Sequence, residues 1–245
     1  MDKFLYVAMS GASQNALAQQ AHANNLANIS TTGFRRDLEQ ARSMQVFGDS
    51  FPARVYAMSE RPATDFTPGT LQETGRDLDI AVEGEGWLAI QSPEGGEAYV
   101  RTGSLKIDSL GMLRTADGLP VMGNGGPIAI PPEQKIDIGQ DGTISIRALG
   151  ENPNVVVTVD RLKLVSAIPG DLEKGSDGLI RSKQGVLESD ANVRVSSGFL
   201  ESSNVNAVSE MTSILALSRQ FELHVKMMRT AEDDASAMAR VLQIS

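Results

Sequence analysis

The 245-residue sequence contains no cysteine. This absence excludes disulfides, thiolate metal sites and a cysteine nucleophile. Aromatic residues make up only 4% of the chain, a low share for an enzyme that stacks its ligand or for a carbohydrate-binding protein. The formal net charge is −9 and no basic stripe is present. The composition therefore argues against a nucleic-acid partner.

Long apolar runs are missing as well. No stretch has enough consecutive apolar residues to span a bilayer, so we expect no membrane insertion. The beginning of the chain, MDKFLYVAMSGASQNALAQQ, lacks the basic region, apolar run and cleavage site of a secretory signal. If the protein leaves the cytoplasm, we expect it to be exported without a cleaved signal peptide.

Common catalytic motifs are also absent from the sequence. It has neither the phosphate-binding GxxxxGKS/T nor the nucleophile motif GxSxG, and its two histidines, His22 and His224, do not have metal-ligand spacing. Acidic pairs such as Asp77 and Asp79 would serve a glycosidase only if they converged in a cleft, and we interpret them as solvated surface. We expect no catalytic site, no cofactor, no metal and no small-molecule substrate, with a β-domain hydrolase as a remote alternative.

Helical apolar patterns occupy both ends of the chain. Apolar residues near the C-terminus recur in alternating steps of three and four, which keeps one side of a helix facing a partner. This C-terminal seam comprises Ile214, Leu217, Phe221, His224, Met228, Ala231, Ala235, Met238 and Leu242. A weaker N-terminal seam comprises Leu5, Ala8, Ala12, Asn15, Gln19, His22, Leu26 and Ile29. Both histidines fall on a seam, which predicts polar positions in a helix–helix interface; a direct contact between them is the sharper alternative.

The chain up to the C-terminal helix divides into three stretches with different patterns. The N-terminal helix is predicted over residues 3–32, with a left-handed Gly33 after its last turn and Phe34 folded back on Ile29. Residues 35–70 contain three prolines and are predicted to form an extended connector with little regular structure. From residue 71 the apolar period becomes two, interrupted by glycine-containing turns. This pattern predicts short antiparallel strands with one face buried, as in the alternating stretches 78–83, 136–138 and 144–147.

Two details of this strand-rich stretch, and the boundary after it, can also be predicted. Residues 155–165 form the longest strand candidate, with a change of phase that indicates a bulge near Asp160. Asn204 or Asn206 is the expected N-cap of the C-terminal helix, and Glu210 lies in its first turn. The sequence therefore predicts an α+β fold. Terminal helices (1–34 and 203–245) pair as a coiled-coil-like layer, joined by the connector (35–70) to a central, mainly antiparallel β domain (71–202).

Several blocks of the sequence resemble bacterial flagellar rod and hook proteins. The N-terminal block is ANNLANISTTGFR at 23–35, and the central blocks lie at 74–88 and 99–121. The C-terminal block is GFLESSNVN at 198–206, followed by Glu210-Met211 and by RQFE at 219–222. The blocks occur in the family's order and cover nearly the whole chain. Length and the opening residues most resemble the proximal-rod members, with distal-rod and hook-type subunits as alternatives.

The resemblance implies a structural role. Such proteins are exported by the flagellar type III apparatus and assemble, with copies of themselves and other rod proteins, into the hollow torque-transmitting shaft of the basal body across the periplasm. The family has no catalytic activity or cofactor. Its terminal helices form the inner layer and its β domain faces outward. The expected subunit-interface residues here are Leu5, Ala8, Ala12, Asn15, His22, Asn25, Leu26, Asn28, Ile29, Gly33, Phe34, Ile214, Leu217, Phe221, His224, Met228, Ala231, Met238 and Leu242.

Overall fold

The computed structural model describes residues 4–45, 55–148 and 156–244. The chain divides into two compact units. The first, the helical unit, is drawn from residues 1–28, 36–65 and 205–245. The second, the β unit, is drawn from residues 29–35 and 66–204.

The helical unit contains both terminal helices, α1 (Phe4–Ala27) and α2 (Ala207–Ile244), which pack along each other. The predicted pairing is therefore confirmed. The side chain of Asn206 caps α2, because its Oδ1 accepts a hydrogen bond from the Ser209 N–H at 3.1 Å. α1 ends at Ala27, earlier than expected, so Gly33 is not its C-terminal cap.

A β-hairpin occupies the segment that was expected to be irregular, and that prediction is wrong. Strands β1 (Asp37–Gln45) and β2 (Val55–Thr64) pair antiparallel, from Asp37 opposite Thr64 to Gln45 opposite Val55. Their register shifts between Leu38 and Gln40, which places a bulge in β2 around Pro62, a residue without an N–H to donate. The hairpin shows no apolar alternation because β1 is exposed from Gln40 onward. It packs on α1, where the Ser10 hydroxyl donates to the Ala57 carbonyl at 3.2 Å.

The β unit contains the remaining strands. The bounds are β3 Leu71–Glu73, β4 Ile80–Val82, β5 Gly86–Gln91, β6 Glu97–Val100, β7 Leu105–Ile107, β8 Leu113–Thr115, β9 Glu133–Ile138, β10 Thr143–Ala148, β11 Val157–Arg161, β12 Leu164–Ser166, β13 Leu172–Lys174, β14 Ile180–Ser182, β15 Val195–Ser197 and β16 Phe199–Glu201. A five-stranded sheet has the order β12-β5-β6-β14-β13, a three-stranded sheet has the order β11-β10-β9, and β3–β16, β4–β15 and β7–β8 form separate pairs. Every pairing among the described strands is antiparallel, as predicted.

The longest strand candidate is in fact two strands. β11 belongs to the three-stranded sheet and β12 to the five-stranded sheet. The predicted bulge near Asp160 is confirmed, because Ile144 pairs with Asp160 whereas the next residue, Ser145, pairs with Thr158. The change of phase in the sequence therefore marks both the bulge and the point beyond which the chain leaves one sheet for another.

A large aliphatic core fills the β unit. The alternating isoleucines of β9 and β10 are all buried, as their spacing predicts. β4 was expected to bury one face only, but all three of its residues are buried, and so is the preceding Asp79.

Candidate assembly surface

The two terminal helices run antiparallel, with small residues between them. The buried residues of α1 are mainly small: Ala8, Gly11, Ala12 and Ala18, with Asn25 near the end of the helix. A Cβ atom at Gly11 would collide with the imidazole of His224 on α2. The histidine ring thus occupies the space that a side chain at residue 11 would need, and this contact fixes the position of one helix along the other.

A polar cluster joins α1, α2 and β1 near the other end of the helix pair. His22 Nδ1 lies 2.5 Å from Glu210 Oε2, and Arg36 Nη1 lies 3.8 Å from Glu210 Oε1. The Asn25 amide donates to the Asp37 carbonyl at 2.9 Å and accepts from the Asp37 N–H at 2.9 Å. The Glu210 side chain is only 3% exposed. Since a buried carboxylate must be paired, this Glu210 cluster ties the beginning of α2 to the rest of the unit.

The two histidines do not contact each other, so the sharper alternative is wrong. Because the helices are antiparallel, His22 lies at Glu210 and His224 lies at Gly11, more than two helical turns away along α1. Their placement in the helix–helix interface is confirmed. Burial raises the pKa of Glu39 on β1, and the neighbouring His22 acts in the opposite direction.

A second buried charge cluster lies in the β unit. Glu201, at the end of β16, accepts hydrogen bonds from Arg35 Nη2 at 2.5 Å and from Arg101 Nε at 2.7 Å. Its carboxylate also accepts the Gly69 N–H at 2.7 Å. All three charged side chains are at most 2% exposed. Both guanidinium groups lie against the ring of Trp87, with Arg35 Cζ at 5.9 Å and Arg101 Cζ at 5.6 Å from its centroid. The aromatic ring attracts cations and so helps to stabilise two arginines beside a single carboxylate.

Residues 29–35 run through this Glu201 cluster as a strap. The Gly33 N–H donates to the Glu201 carbonyl at 2.8 Å. Lys174 Nζ donates to the Arg35 carbonyl at 2.7 Å and lies 4.0 Å from the centroid of the Phe34 ring. Gly33 has the predicted left-handed conformation, with φ of 69°, but for a different reason. A Cβ atom there would collide with the backbone of Arg101, the residue that follows β6, so glycine allows the strap to pass close to the end of β6.

Comparison with known proteins identifies the family of this chain. Three family models match: "Flagella basal body rod protein" at residues 5–35, "Flagellar hook protein FlgE/F/G D1 domain" at 81–146 and "Flagellar basal body rod FlgEFG protein C-terminal" at 196–241. The chain is 42% identical to the flagellar basal-body rod protein FlgF of Escherichia coli K12 and 40% identical to that of Salmonella typhimurium LT2, over the full length of both proteins in each case. The chain belongs to the FlgF family of flagellar basal-body rod proteins. FlgG of Buchnera aphidicola (subsp. Schizaphis graminum) is 26% identical over 93% of the chain and 95% of that protein.

The structure gives the two FlgF-family terminal blocks a role that sequence reasoning missed. Arg35, from the N-terminal block, pairs with Glu201 from the C-terminal block. Asn25, also from the N-terminal block, donates its Nδ2 to Oε2 of Glu210, which follows the C-terminal block, at 3.4 Å. The partners are separated by more than 160 residues in the sequence. The sequence offers one signal that could have identified these pairs, namely the expectation that the N-terminal and C-terminal blocks contact each other in the folded chain.

The predicted interface residues fall into several groups. Ala8 and Ala12 are buried in the helix pair, and Asn15, His22, Leu26, Asn28, Ile214, Leu217, His224, Met228 and Ala231 are half-buried; Asn25 is buried in the Glu210 cluster, and Gly33 and Phe34 belong to the strap. Leu5, Ile29, Phe221 and Met238 are exposed, and the side chain of Leu242 lies outside the described residues. Much of each seam is therefore used within one chain. Contact of these residues with neighbouring subunits stays a prediction.

Several large apolar side chains of the helix pair face outward. On α1 they are Leu5, Tyr6, Met9 and Leu17, and on α2 they include Val208, Met211, Leu215, Leu223 and Met227. Their exposed fractions range from 40% to 71%. Exposed apolar side chains in this number on a helix pair form a candidate interaction surface. Sequence reasoning missed most of these residues because it followed one seam on each helix.

The acidic pair Asp77 and Asp79 is not a solvated pair. Asp79 is only 5% exposed and lies 3.4 Å from Arg76 Nη1, so its interpretation as surface is wrong. Asp77 is exposed. Across the described ranges, no group of three or more histidine or acidic side chains is placed to hold a metal ion. Neither terminal helix, as far as it is described, is long and apolar enough to cross a membrane.

Proposed function

We propose that this chain is a structural subunit of the flagellar basal-body rod, in the position that FlgF occupies. The observation that carries this proposal is the identity of 42% and 40%, over full length, to two proteins named as FlgF rod proteins. The match to a FlgG rod protein is weaker, at 26%. This difference favours the proximal-rod assignment over a distal-rod or hook-type one.

The proposed mode of action is assembly through the terminal helices. Exposed apolar side chains on both helices support it, because contact with other rod subunits would remove them from water. In this proposal the helical unit forms the inner layer of a shaft that crosses the periplasm, and the β unit faces outward. The role is mechanical and needs no catalysis or cofactor. Export would proceed through the flagellar type III apparatus without cleavage of a signal.

Complementation tests the function directly. In a strain from which the gene for this chain is deleted, the full chain should restore swimming and should be present in purified basal bodies. A chain that ends before α2 should do neither, while its β unit still folds. Failure of the full chain would contradict the proposal. Restored swimming in a strain that lacks FlgG would instead indicate the distal-rod position.

A point substitution tests the helical assembly surface. Phe221 is 39% exposed on α2, and Phe221→Asp places a charge on the C-terminal seam. We expect this variant to be non-motile. The neighbouring Gln220→Asp introduces the same charge at an exposed polar position and should swim normally. Normal swimming of Phe221→Asp would remove this residue from any interface.

A further inference from the structure

The two terminal helices differ in length, and part of α2 has no partner among the described residues of its own chain. α1 has 24 residues and α2 has 38. At the contact between Gly11 and His224 the helices lie side by side and run in opposite directions. Two turns from this contact, α1 reaches its first described residue, Phe4, and α2 reaches Ala231. The remainder of α2, residues 232–244, is called the overhang below.

The residues of α2 become exposed beyond the point that lies beside Phe4, the first described residue of α1. On the C-terminal seam, Met228 and Ala231 are half-buried, whereas Ala235 and Met238 are exposed. Met238 is 70% exposed. Every residue from 232 to 240 is exposed. At a rise of 1.5 Å per residue the overhang extends for about 20 Å.

The apolar seam itself does not end at Ala231. The steps from Met228 through Ala231 and Ala235 to Met238 keep the alternation of three and four, so the side of α2 that receives α1 continues in phase along the overhang. A helical segment of this length gains too little from its own hydrogen bonds to be stable in water. The continued seam is therefore suited to pack against a second helix beyond Phe4, the first described residue of α1.

We propose that the overhang receives the outward face of α1 from a neighbouring copy of this chain. The buried face of that helix is already covered by its own α2. Its outward face carries Leu5, Tyr6, Met9 and Leu17, which are 43–59% exposed. These large side chains complement the small Ala235 on the seam of the overhang, as knobs complement holes. From Phe4 to Ala27, α1 contains no aspartate, glutamate, lysine or arginine, so the contact buries no formal charge from that helix.

This contact joins two different surfaces. Each copy offers an overhang at one place and an outward face of α1 at another, so a copy that accepts one neighbour can also be accepted by the next. A heterologous contact of this kind builds a ring or an open helical row of subunits, whereas an isologous contact would close as a dimer. The inference rests on the proposed function, since it describes how a rod subunit adds to its like.

Replacement of either of two alanines of the overhang by glutamate tests the overhang contact independently of the rod role. Ala235→Glu places a charge on the seam, and Ala237→Glu makes the same change on another side of the same exposed segment. In the deletion strain we expect Ala235→Glu to abolish swimming and Ala237→Glu to swim as the wild-type chain does. Equal helical content by circular dichroism excludes misfolding as the cause. Normal swimming of both variants overturns the overhang contact and leaves the rod role intact, whereas failure of the wild-type chain overturns the rod role.

Cross-linking identifies the occupant, because the chain has no cysteine of its own. In the double variant Met9→Cys/Met238→Cys, the two positions of one chain are about 18 Å apart along the helix axis, too far for a disulfide. Mild oxidation of basal bodies should therefore give disulfide-linked multimers. Met9→Cys alone should give none. Dimers from Met238→Cys alone would indicate that overhangs pair with each other, and absence of multimers from the assembled double variant would equally overturn the proposal.

Discussion

The two units of this protein bury side chains of different sizes. In the β unit the fully buried residues include Leu88, Ile144 and other large aliphatics. In the helical unit the buried apolar residues are alanines such as Ala8 and Ala12, while Tyr6 and Val208 remain 59% and 71% exposed. The β unit encloses a large set of big apolar side chains, whereas the helical unit encloses only small ones and exposes many of its large ones.

This difference indicates where each unit obtains its stability. Burial of a leucine or isoleucine side chain contributes about 1.5–3 kcal/mol, whereas an alanine offers little area to bury. The β unit therefore has the contacts to fold from its own sequence. The helical unit gains less from contacts within the chain, and its exposed side chains can add stability only when another subunit covers them.

The strongest test of this comparison is amide hydrogen exchange on the purified, unassembled chain. We expect amides of α1 and α2 to exchange at least about a hundredfold faster than those of β5 and β6, because local opening costs less where few large apolar contacts break. Mass spectrometry of peptides from each unit measures the difference. Equal protection in both units would show that the helices are already stable in the monomer and would contradict the comparison.

Loss of the buried carboxylate should have the largest effect on the β unit. Glu201→Ala removes the carboxylate that pairs with both Arg35 and Arg101, and leaves two buried cations without it. Breaking a buried ion pair in this way costs about 3–5 kcal/mol. Denaturant unfolding monitored by Trp87 fluorescence measures the loss, since both guanidinium groups lie against that ring.

An exposed glutamate provides the control for this substitution. Glu94 is 86% exposed, and Glu94→Ala should change the free energy of unfolding by less than about 0.5 kcal/mol. A small effect of Glu201→Ala, similar to that of the control, would mean that the buried cluster contributes little to the stability of the β unit.

Sequence reasoning succeeded where the pattern is local. The steps of three and four predict α2, and the alternation around Ile136 and Ile144 predicts β9 and β10, because each pattern follows directly from the period of one element. The hairpin at residues 37–64 has no such pattern. Its strands are held by their mutual pairing and by α1, so neither strand carries an apolar stripe that identifies it.

Long-range pairs were not predictable for a different reason. Arg35 and Glu201 are ordinary charged residues in their local surroundings, and only the fold brings them together. Burial of Asp79 was missed likewise, because alternation suggested an exposed face where neighbouring strands cover both sides. The resemblance identified the blocks that contain Arg35 and Glu201, but not the contact between them.

A smaller effect is expected at the closest approach of the two helices. Gly11→Ala forces a Cβ atom against the His224 ring and should destabilise the helix pair by about 1 kcal/mol, because the usual overpacking cost of about 1–3 kcal/mol is partly offset by the higher helix propensity of alanine, about 1 kcal/mol. His224→Ala removes the ring, so the double variant should lose less than the sum of the two single losses. Thermal melting followed by circular dichroism measures each variant, with Ser13→Ala on the exposed side of α1 as the control. Additive losses would mean that Gly11 and His224 do not meet.

The smallest effect concerns the response of the β unit to acid. Arg181 and the Leu179 N–H donate to Asp177 and hold the pKa of its carboxyl below the usual range. The unfolded chain therefore takes up this proton first as the pH falls, so the stabilisation is complete above the usual aspartate pKa of about 3.9 and is lost as the pH falls through the lower folded value. Asp177→Asn should cost less than about 1 kcal/mol at neutral pH and should make the acid loss of stability shallower.

The contribution of Glu39 to the stability of the helical unit should respond to acid in the opposite direction to that of Asp177, so pH also tests the comparison. Because burial raises the pKa of Glu39, the folded helical unit takes up that proton before the unfolded chain does, and the associated destabilisation disappears as the pH falls to the usual glutamate pKa of about 4.3. Hydrogen exchange at a series of pH values, corrected for the intrinsic exchange rate, should therefore show the protection of the two units converging on acidification. Asp177→Asn should weaken that convergence from the β side, whereas Asp117→Asn, at an exposed turn position, should leave it unchanged. A convergence that is the same in both variants would exclude Asp177 as a source of the acid response.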